Sequence, residues 1–114
     1  MDKPDSLCVI WTNADPEAAM NMALMYAKNS RIHGWWETVR LIVWGPSQKV
    51  LAENGMLREE LAACAKAGVE LYACRACAER YGLAETLEAL GVEVLYTGEP
   101  LTHMLKTGWS VLTV

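Results

Sequence analysis

Two cysteines, Cys74 and Cys77, close an apolar run with two residues between them, and helix-forming residues follow at once. A Cys-x-x-Cys pair at the joint between a strand and a helix can do three kinds of chemistry. It can clamp a metal, it can cycle between dithiol and disulfide, or it can hold one working thiol beside an incidental neighbour. The first turn of a helix carries unpaired N–H groups and a partial positive charge, which favour a thiolate over a thiol. Arg75 and Arg80 add positive charge close by in sequence. Cys74 therefore reads as a candidate nucleophile, against the alternative of a small buried hydrophobe. Cys77 lies one helical turn further along the same face. It reads equally as a resolving thiol or as a packing residue.

The metal reading has the least support. Structural zinc takes four Cys or His ligands, often as two close pairs, and this chain has one pair. Cys8 falls inside an apolar strand and Cys64 on the apolar face of a helix, so both are expected in the core. His33 and His103 stand alone near helix ends. A thioredoxin-like centre fits the local motif better. In that fold, however, the reactive pair follows an early strand; here it follows the third, and the chain ends in a strand.

Other chemistry-bearing motifs are missing. Trp11-Thr12-Asn13-Ala14-Asp15 after the first strand lacks the glycines of a phosphate loop, and no Gly-x-Ser-x-Gly elbow occurs. Glu59-Glu60 and Glu85 with Glu88 fall on helix surfaces, as solvated charge rather than paired catalytic acids. Asn13, Asp15, Ser47 and Thr97 follow strand ends and could line the same edge as Cys74, although each reads first as a cap or turn residue. No cofactor is expected.

The elements that must position Cys74 are legible in the apolar pattern. Leu7 to Thr12 is a continuous apolar run ending in threonine, as in a strand buried on both faces. Asp15-Pro16 starts a helix, with Asp15 as cap and Pro16 in the first position. Ala18, Ala19, Met22, Met25 and Tyr26 should face inward along it, and His33-Gly34 ends it. Thr38 to Trp44 is the second strand, stopped by Gly45-Pro46. A short helix over 47–53 and a firmer one over 56–67 follow, the latter with Leu57, Leu61, Cys64 and Ala65 on one face and Gly68 as its cap. Val69 to Ala73 is the third strand. A helix after the cysteines ends at Tyr81-Gly82, and another segment over 83–90 closes at Gly91. Val92 to Tyr96, a short helix over 100–106, and Trp109 to Val114 complete a βαβαβαβαβ order. Such alternation predicts a three-layer α/β/α sandwich on a mainly parallel five-stranded sheet, in one domain over residues 1–114. In such sheets reactive groups gather at the carboxyl ends of the strands, where Cys74 falls.

Composition excludes several classes. The chain has 114 residues, 53% of them hydrophobic, so it can build a core and is not disordered. Fourteen acidic against ten basic residues give a net charge of -4 and no basic stripe, so nucleic-acid binding is not expected. The polar start Met1 to Ser6 and the short run Leu7 to Trp11 fit neither a signal peptide nor a membrane span. The protein is expected in the cytoplasm, where thiols stay reduced and four cysteines imply no disulfide framework. Of the five tryptophans, Trp35-Trp36 beside a helix end is the pair expected at the surface, where it could form an interface.

The order and spacing of several pieces resemble one family. These are the helix start at Asp15-Pro16, then Val43-Trp44-Gly45-Pro46, then Leu57, Leu61 and Gly68-Val69-Glu70-Leu71-Tyr72-Ala73-Cys74, with Arg80-Tyr81-Gly82-Leu83 after it. Leu90-Gly91-Val92-Glu93-Val94 and Gly108-Trp109-Ser110-Val111-Leu112-Thr113 complete the set. The chain resembles the DsrE/DsrF-like proteins, which include sulfur-relay subunits of the TusD type. The resemblance implies a DsrEFH-like fold and places Cys74 at the position of the persulfide-forming cysteine of relay members. It implies a sulfur carrier, working through sulfur donor and acceptor proteins, rather than an enzyme turning over a small molecule. It also implies a homo-oligomer, a trimer or hexamer. Cys77 matches no residue that relay members require. An internal Cys74–Cys77 disulfide that releases the sulfur, a plain thiol–disulfide couple, and an interaction module with no reactive cysteine remain as alternatives.

Overall fold

The computed structural model describes residues 5–114; Met1 to Pro4, the start of the polar N-terminal stretch, lie outside the described residues. Five strands form one sheet: β1 (Ser6–Trp11), β2 (Thr38–Val43), β3 (Glu70–Cys74), β4 (Glu93–Leu95) and β5 (Ser110–Thr113). Their order is β4-β3-β2-β1-β5 and every pairing is parallel. The helices are α1 (Pro16–Ala18), α2 (Leu24–Ile32), α3 (Ser47–Glu53), α4 (Gly55–Ala67), α5 (Arg75–Tyr81), α6 (Ala84–Ala89) and α7 (Gly98–Lys106). The predicted three-layer sandwich is the observed one.

The strand order distributes the helices unequally. From β1 to β4 the chain steps in one direction, and then α7 carries it back across the sheet to β5 beside β1. Crossovers between parallel strands are right-handed, so reversing the direction of travel changes the face on which the connection runs. One face of the sheet accordingly packs Val9, Trp11, Leu41, Val43, Leu71 and Ala73 against Ala23, Leu24, Leu51, Leu61, Ala78 and Leu87 of the earlier helices. The other face, with Cys8, Ile10 and Ile42, is covered by Met104 of α7, with Trp44, Tyr72, Leu101 and Trp109 half-buried around it. Arg40 bridges that face: its guanidinium lies 4.6 Å from the Tyr72 ring and 4.7 Å from the Trp109 ring, and its Nε donates to Glu70 at 2.9 Å.

Local signals act as read at most helix ends. Asp15 Oδ1 accepts from the Glu17 N–H at 2.9 Å with Pro16 at the first position. Gly68 ends α4 with φ 104, a left-handed backbone that calls for glycine, and a Cβ there would come within 3.1 Å of the Arg31 side chain. The inward face of the first helix differs from the expectation. Between α1 and α2 the chain makes a π-helical turn, Ala19–Ala23. A π turn holds more residues than an α turn and rotates everything after it. The buried strip becomes Ala19, Ala23, Leu24 and Ala27, and Met22 and Met25 are exposed at 41% and 45%. Ala65 of α4 is likewise exposed, while Leu57, Leu61 and Cys64 face the core. Trp35 is exposed and stacks on His33; Trp36 is half-buried and donates to the Tyr26 hydroxyl at 3.2 Å. Among the described residues no helix is long and apolar enough to cross a membrane.

Candidate functional site

Cys74 is the last residue of β3 and the cap residue of α5, with extended backbone at φ -68 and ψ 117. Its neighbour across the sheet is Leu95, the last residue of β4. From these two strand ends the chain leaves in opposite directions. After β3 it enters α5, which packs Ala78 into the core of the first face; after β4 it enters α7, which packs Met104 on the second. Adjacent parallel strands with diverging connections leave a crevice at their carboxyl ends, the place where open α/β sheets put their chemistry. Cys74 sits on one lip of that crevice and Thr97, two residues beyond β4, on the other.

Polar side chains buried at the same edge hold the strand ends together. Ser47 Oγ donates to the Trp11 carbonyl at 2.5 Å, and Gln48 Nε2 donates to the carbonyls of Val43 at 3.1 Å and Cys74 at 3.0 Å. Through these two neighbours α3 ties the ends of β1, β2 and β3. Arg75 Nη2 donates to the Val94 carbonyl at 2.7 Å and fastens the start of α5 to β4. Its charge is thus spent on a backbone oxygen. The sequence reading had no signal for Gln48: one polar residue in the first turn of a short helix looks like any solvated residue. Only the packing of α3 against three strand ends makes it interior.

The sulfur environment separates the four free cysteines. Burial pushes the Cys74 thiol up, but the Cys77 N–H, the Cys77 thiol, the Thr97 hydroxyl and the Ala76 N–H all push it down. The net direction is down from the ordinary 9.0. Cys77 moves the other way. Burial and its hydrogen bond to Cys74 raise it, more than the Gly45 N–H and Arg80 lower it. Within the pair, Cys74 is the thiol shifted toward ionisation and Cys77 the one shifted away from it. Cys8 is raised by burial to about 11, with Arg40 opposing. Cys64 is raised by burial and by Glu60 to about 12. Both are fully buried, as expected of core residues.

The other edge candidates divide. Asn13 Oδ1 accepts from the Asp15 N–H at 2.6 Å, and Asp15 caps its helix, so both act as turn residues. Ser47 and Thr97 do not cap; both are buried. His33 and His103 are exposed. Among the described residues no group of three or more His, Cys, Asp or Glu side chains could hold a metal ion. A cavity of about 510 Å³ opens beside α3 and α5, lined by Lys49, Glu53, Tyr81 and Thr86, and none of the cysteines lines it.

The comparisons with known proteins agree with this architecture. A conserved protein of unknown function from Bacteroides thetaiotaomicron is 36% identical over 96% of this chain and 95% of its own, with a TM-score of 0.92. The ychN protein of E. coli shares the fold at 19% identity and TM-score 0.72, with all of both chains covered. A protein of unknown function from Methanobacterium thermoautotrophicum does so at 20% identity and TM-score 0.71, over 99% of this chain and 100% of its own. No curated protein is similar enough to match. The DsrE/DsrF-like family model matches residues 6–114, which takes in every strand, every helix and the whole crevice around Cys74; the chain belongs to the DsrE/DsrF-like family.

Proposed function

We propose that the protein is a sulfur carrier that accepts and passes on persulfide sulfur at Cys74. The Cys74 thiolate attacks the outer sulfur of a donor persulfide. A new S–S bond forms at Cys74, the donor's S–S bond breaks, and the donor leaves as a thiolate. An acceptor thiolate then attacks the same outer sulfur and releases the Cys74 thiolate. No net oxidation occurs and no cofactor is needed. The observation that carries this reading is the contrast at the switch-point crevice. Cys74 is the one cysteine driven toward thiolate, while Cys8, Cys64 and Cys77 are driven toward thiol.

The partners in this reading are donor and acceptor proteins in the cytoplasm, not nucleic acid or membrane. A homo-oligomer, trimer or hexamer, belongs to the same proposal. The exposed Met22, Met25, Ile32 and Trp35 offer apolar surface for one. Light scattering on the purified protein gives its mass directly.

A second reading follows from the nearness of the two thiols, each of which shifts the other. A disulfide between Cys74 and Cys77 would make the pair a thiol–disulfide couple. Intact-mass spectrometry after incubation with a persulfide donor separates the two, run on wild type, Cys74→Ala and Cys77→Ala. The carrier gains about 32 Da, retains that gain in Cys77→Ala, and loses it in Cys74→Ala, because transfer needs the attacking thiolate. A loss of two hydrogens that requires both cysteines makes the protein a redox couple instead. Neither change in any variant leaves an interaction module without a reactive cysteine.

A further inference from the structure

Thr97 occupies the cap position of α7, where a threonine normally turns its oxygen onto its own helix. Here it makes no such bond. The residue is 1% exposed, and its hydroxyl has no regular hydrogen-bond partner. A buried hydroxyl without a partner costs stability and calls for an explanation. The fold supplies one. Leu95 pairs with Cys74, so two residues later the chain places Thr97 at the same strand-end edge as the sulfur, near enough for its hydroxyl to act on it. A thiol is a weak acceptor; a thiolate, or the ionised persulfide formed on it, is a strong one.

We propose that Thr97 is a positioning residue of the Cys74 site, and that its hydroxyl forsakes the α7 cap to donate to the sulfur and hold it in the anionic form. The inference rests on the sulfur-carrier reading for its purpose but not for its chemistry. The titratable and charged groups around the sulfur are few. α5 brings Cys77, which favours the ionised sulfur, and Arg75, which is turned to the Val94 carbonyl. Further along α5, Glu79 accepts from the Tyr96 hydroxyl and Arg80 acts on Cys77. α7 carries Glu99 in its first turn, and α3 meets the Cys74 backbone with the uncharged Gln48. Thr97 is the contribution from the α7 side that removing a single oxygen can test.

The experiment is the pH dependence of iodoacetamide alkylation at Cys74, followed by peptide mass spectrometry in wild type, Thr97→Val and Thr97→Ser. Thr97→Val keeps the shape and removes the donor. Its alkylation midpoint should rise by about one pH unit, with about tenfold slower reaction below both midpoints. Thr97→Ser restores the donor and should titrate like wild type. A Thr97→Val midpoint equal to wild type, or a Thr97→Ser midpoint displaced as far as that of Thr97→Val, overturns the proposal. A merely structural hydroxyl would give the first of these outcomes, with unchanged or raised thermal stability. If Thr97→Val fails to fold, Thr97→Ala in the same assay carries the same two outcomes. Alkylation needs no sulfur donor. A protein that takes up no sulfur yet shows the Thr97 shift loses the carrier reading and keeps this one.

Discussion

Cys64 and Cys74 are both buried, yet they are opposite in chemistry. Cys64 lies on α4 against the core; its Sγ donates to the Leu24 carbonyl at 3.4 Å, and the Lys28 backbone N–H and charge, which favour the ionised form, are outweighed by burial and Glu60. Cys74 lies at a strand end, 5% exposed, and faces N–H, S–H and O–H donors. Desolvation raises both thiols; the donors at Cys74 reverse it. Burial alone therefore does not decide whether a cysteine is inert. The decisive quantity is the number of donors aimed at the sulfur, and strand ends that open onto helix starts are rich in unpaired donors.

The largest expected effect on that contrast is an all-or-none one. Cys74→Ser should abolish sulfur loading read by intact mass, while Cys8→Ala and Cys64→Ala keep it; loading that persists in Cys74→Ser would erase the distinction. Next comes the reaction rate in the wild-type protein. At pH 7 a thiol at about 11 is ionised in about one molecule in ten thousand. Cys74, below 9.0, is ionised in more than about one in a hundred. Peptide-resolved alkylation should favour Cys74 over Cys8 by at least about 100-fold, and similar rates would mean that the interior opens easily.

A smaller effect tests the clamp that sets the geometry. Gln48→Leu removes both bonds from Gln48 Nε2 and leaves the Val43 and Cys74 carbonyls without that donor. It should destabilise the fold by about 1–3 kcal/mol in urea unfolding. No loss would mean that the strand ends hold without the clamp.

The smallest effect is on alkaline stability, and its sign differs between the two cysteines. The Cys64 thiol is raised in the fold to about 12 from 9.0. Between those values the unfolded chain holds fewer protons than the folded one, so stability present below pH 9 is lost as pH rises, by at most about 1.4 kcal/mol per pH unit. Cys74 is lowered, so its contribution is present above 9.0 and is lost as pH falls through the folded value. Thermal melts from pH 8 to 10 should therefore slope less steeply downward in Cys64→Ala, and more steeply in Cys74→Ser. Equal slopes in both variants would show that the two sulfurs have the same environment.

Much of this was legible beforehand for a physical reason. A strand buried on both faces must be apolar throughout, so Leu7 to Trp11 and Leu41 to Val43 announce themselves. Asp15-Pro16 and Gly68 mark helix ends because few residues suit those backbone positions. Cys74 could be placed at the carboxyl edge from the strand and helix around it. The inward face of the first helix was misread because a π turn leaves no periodic trace, only a rotation of the residues after it.

By itself, then, the sequence determined the alternation of elements, the parallel sheet and the position of Cys74 at the start of a helix. These depend on apolar period and end signals, which act over a few residues. Only the tertiary structure decided that β5 returns to the side of β1, which sends α7 to the opposite face and opens the crevice at β3 and β4. It also decided that Gln48 and Thr97 are interior, Gln48 bonded to the Cys74 carbonyl and Thr97 not capping its own helix. Those outcomes rest on contacts between residues more than twenty positions apart, and no local pattern encodes which strand ends will meet.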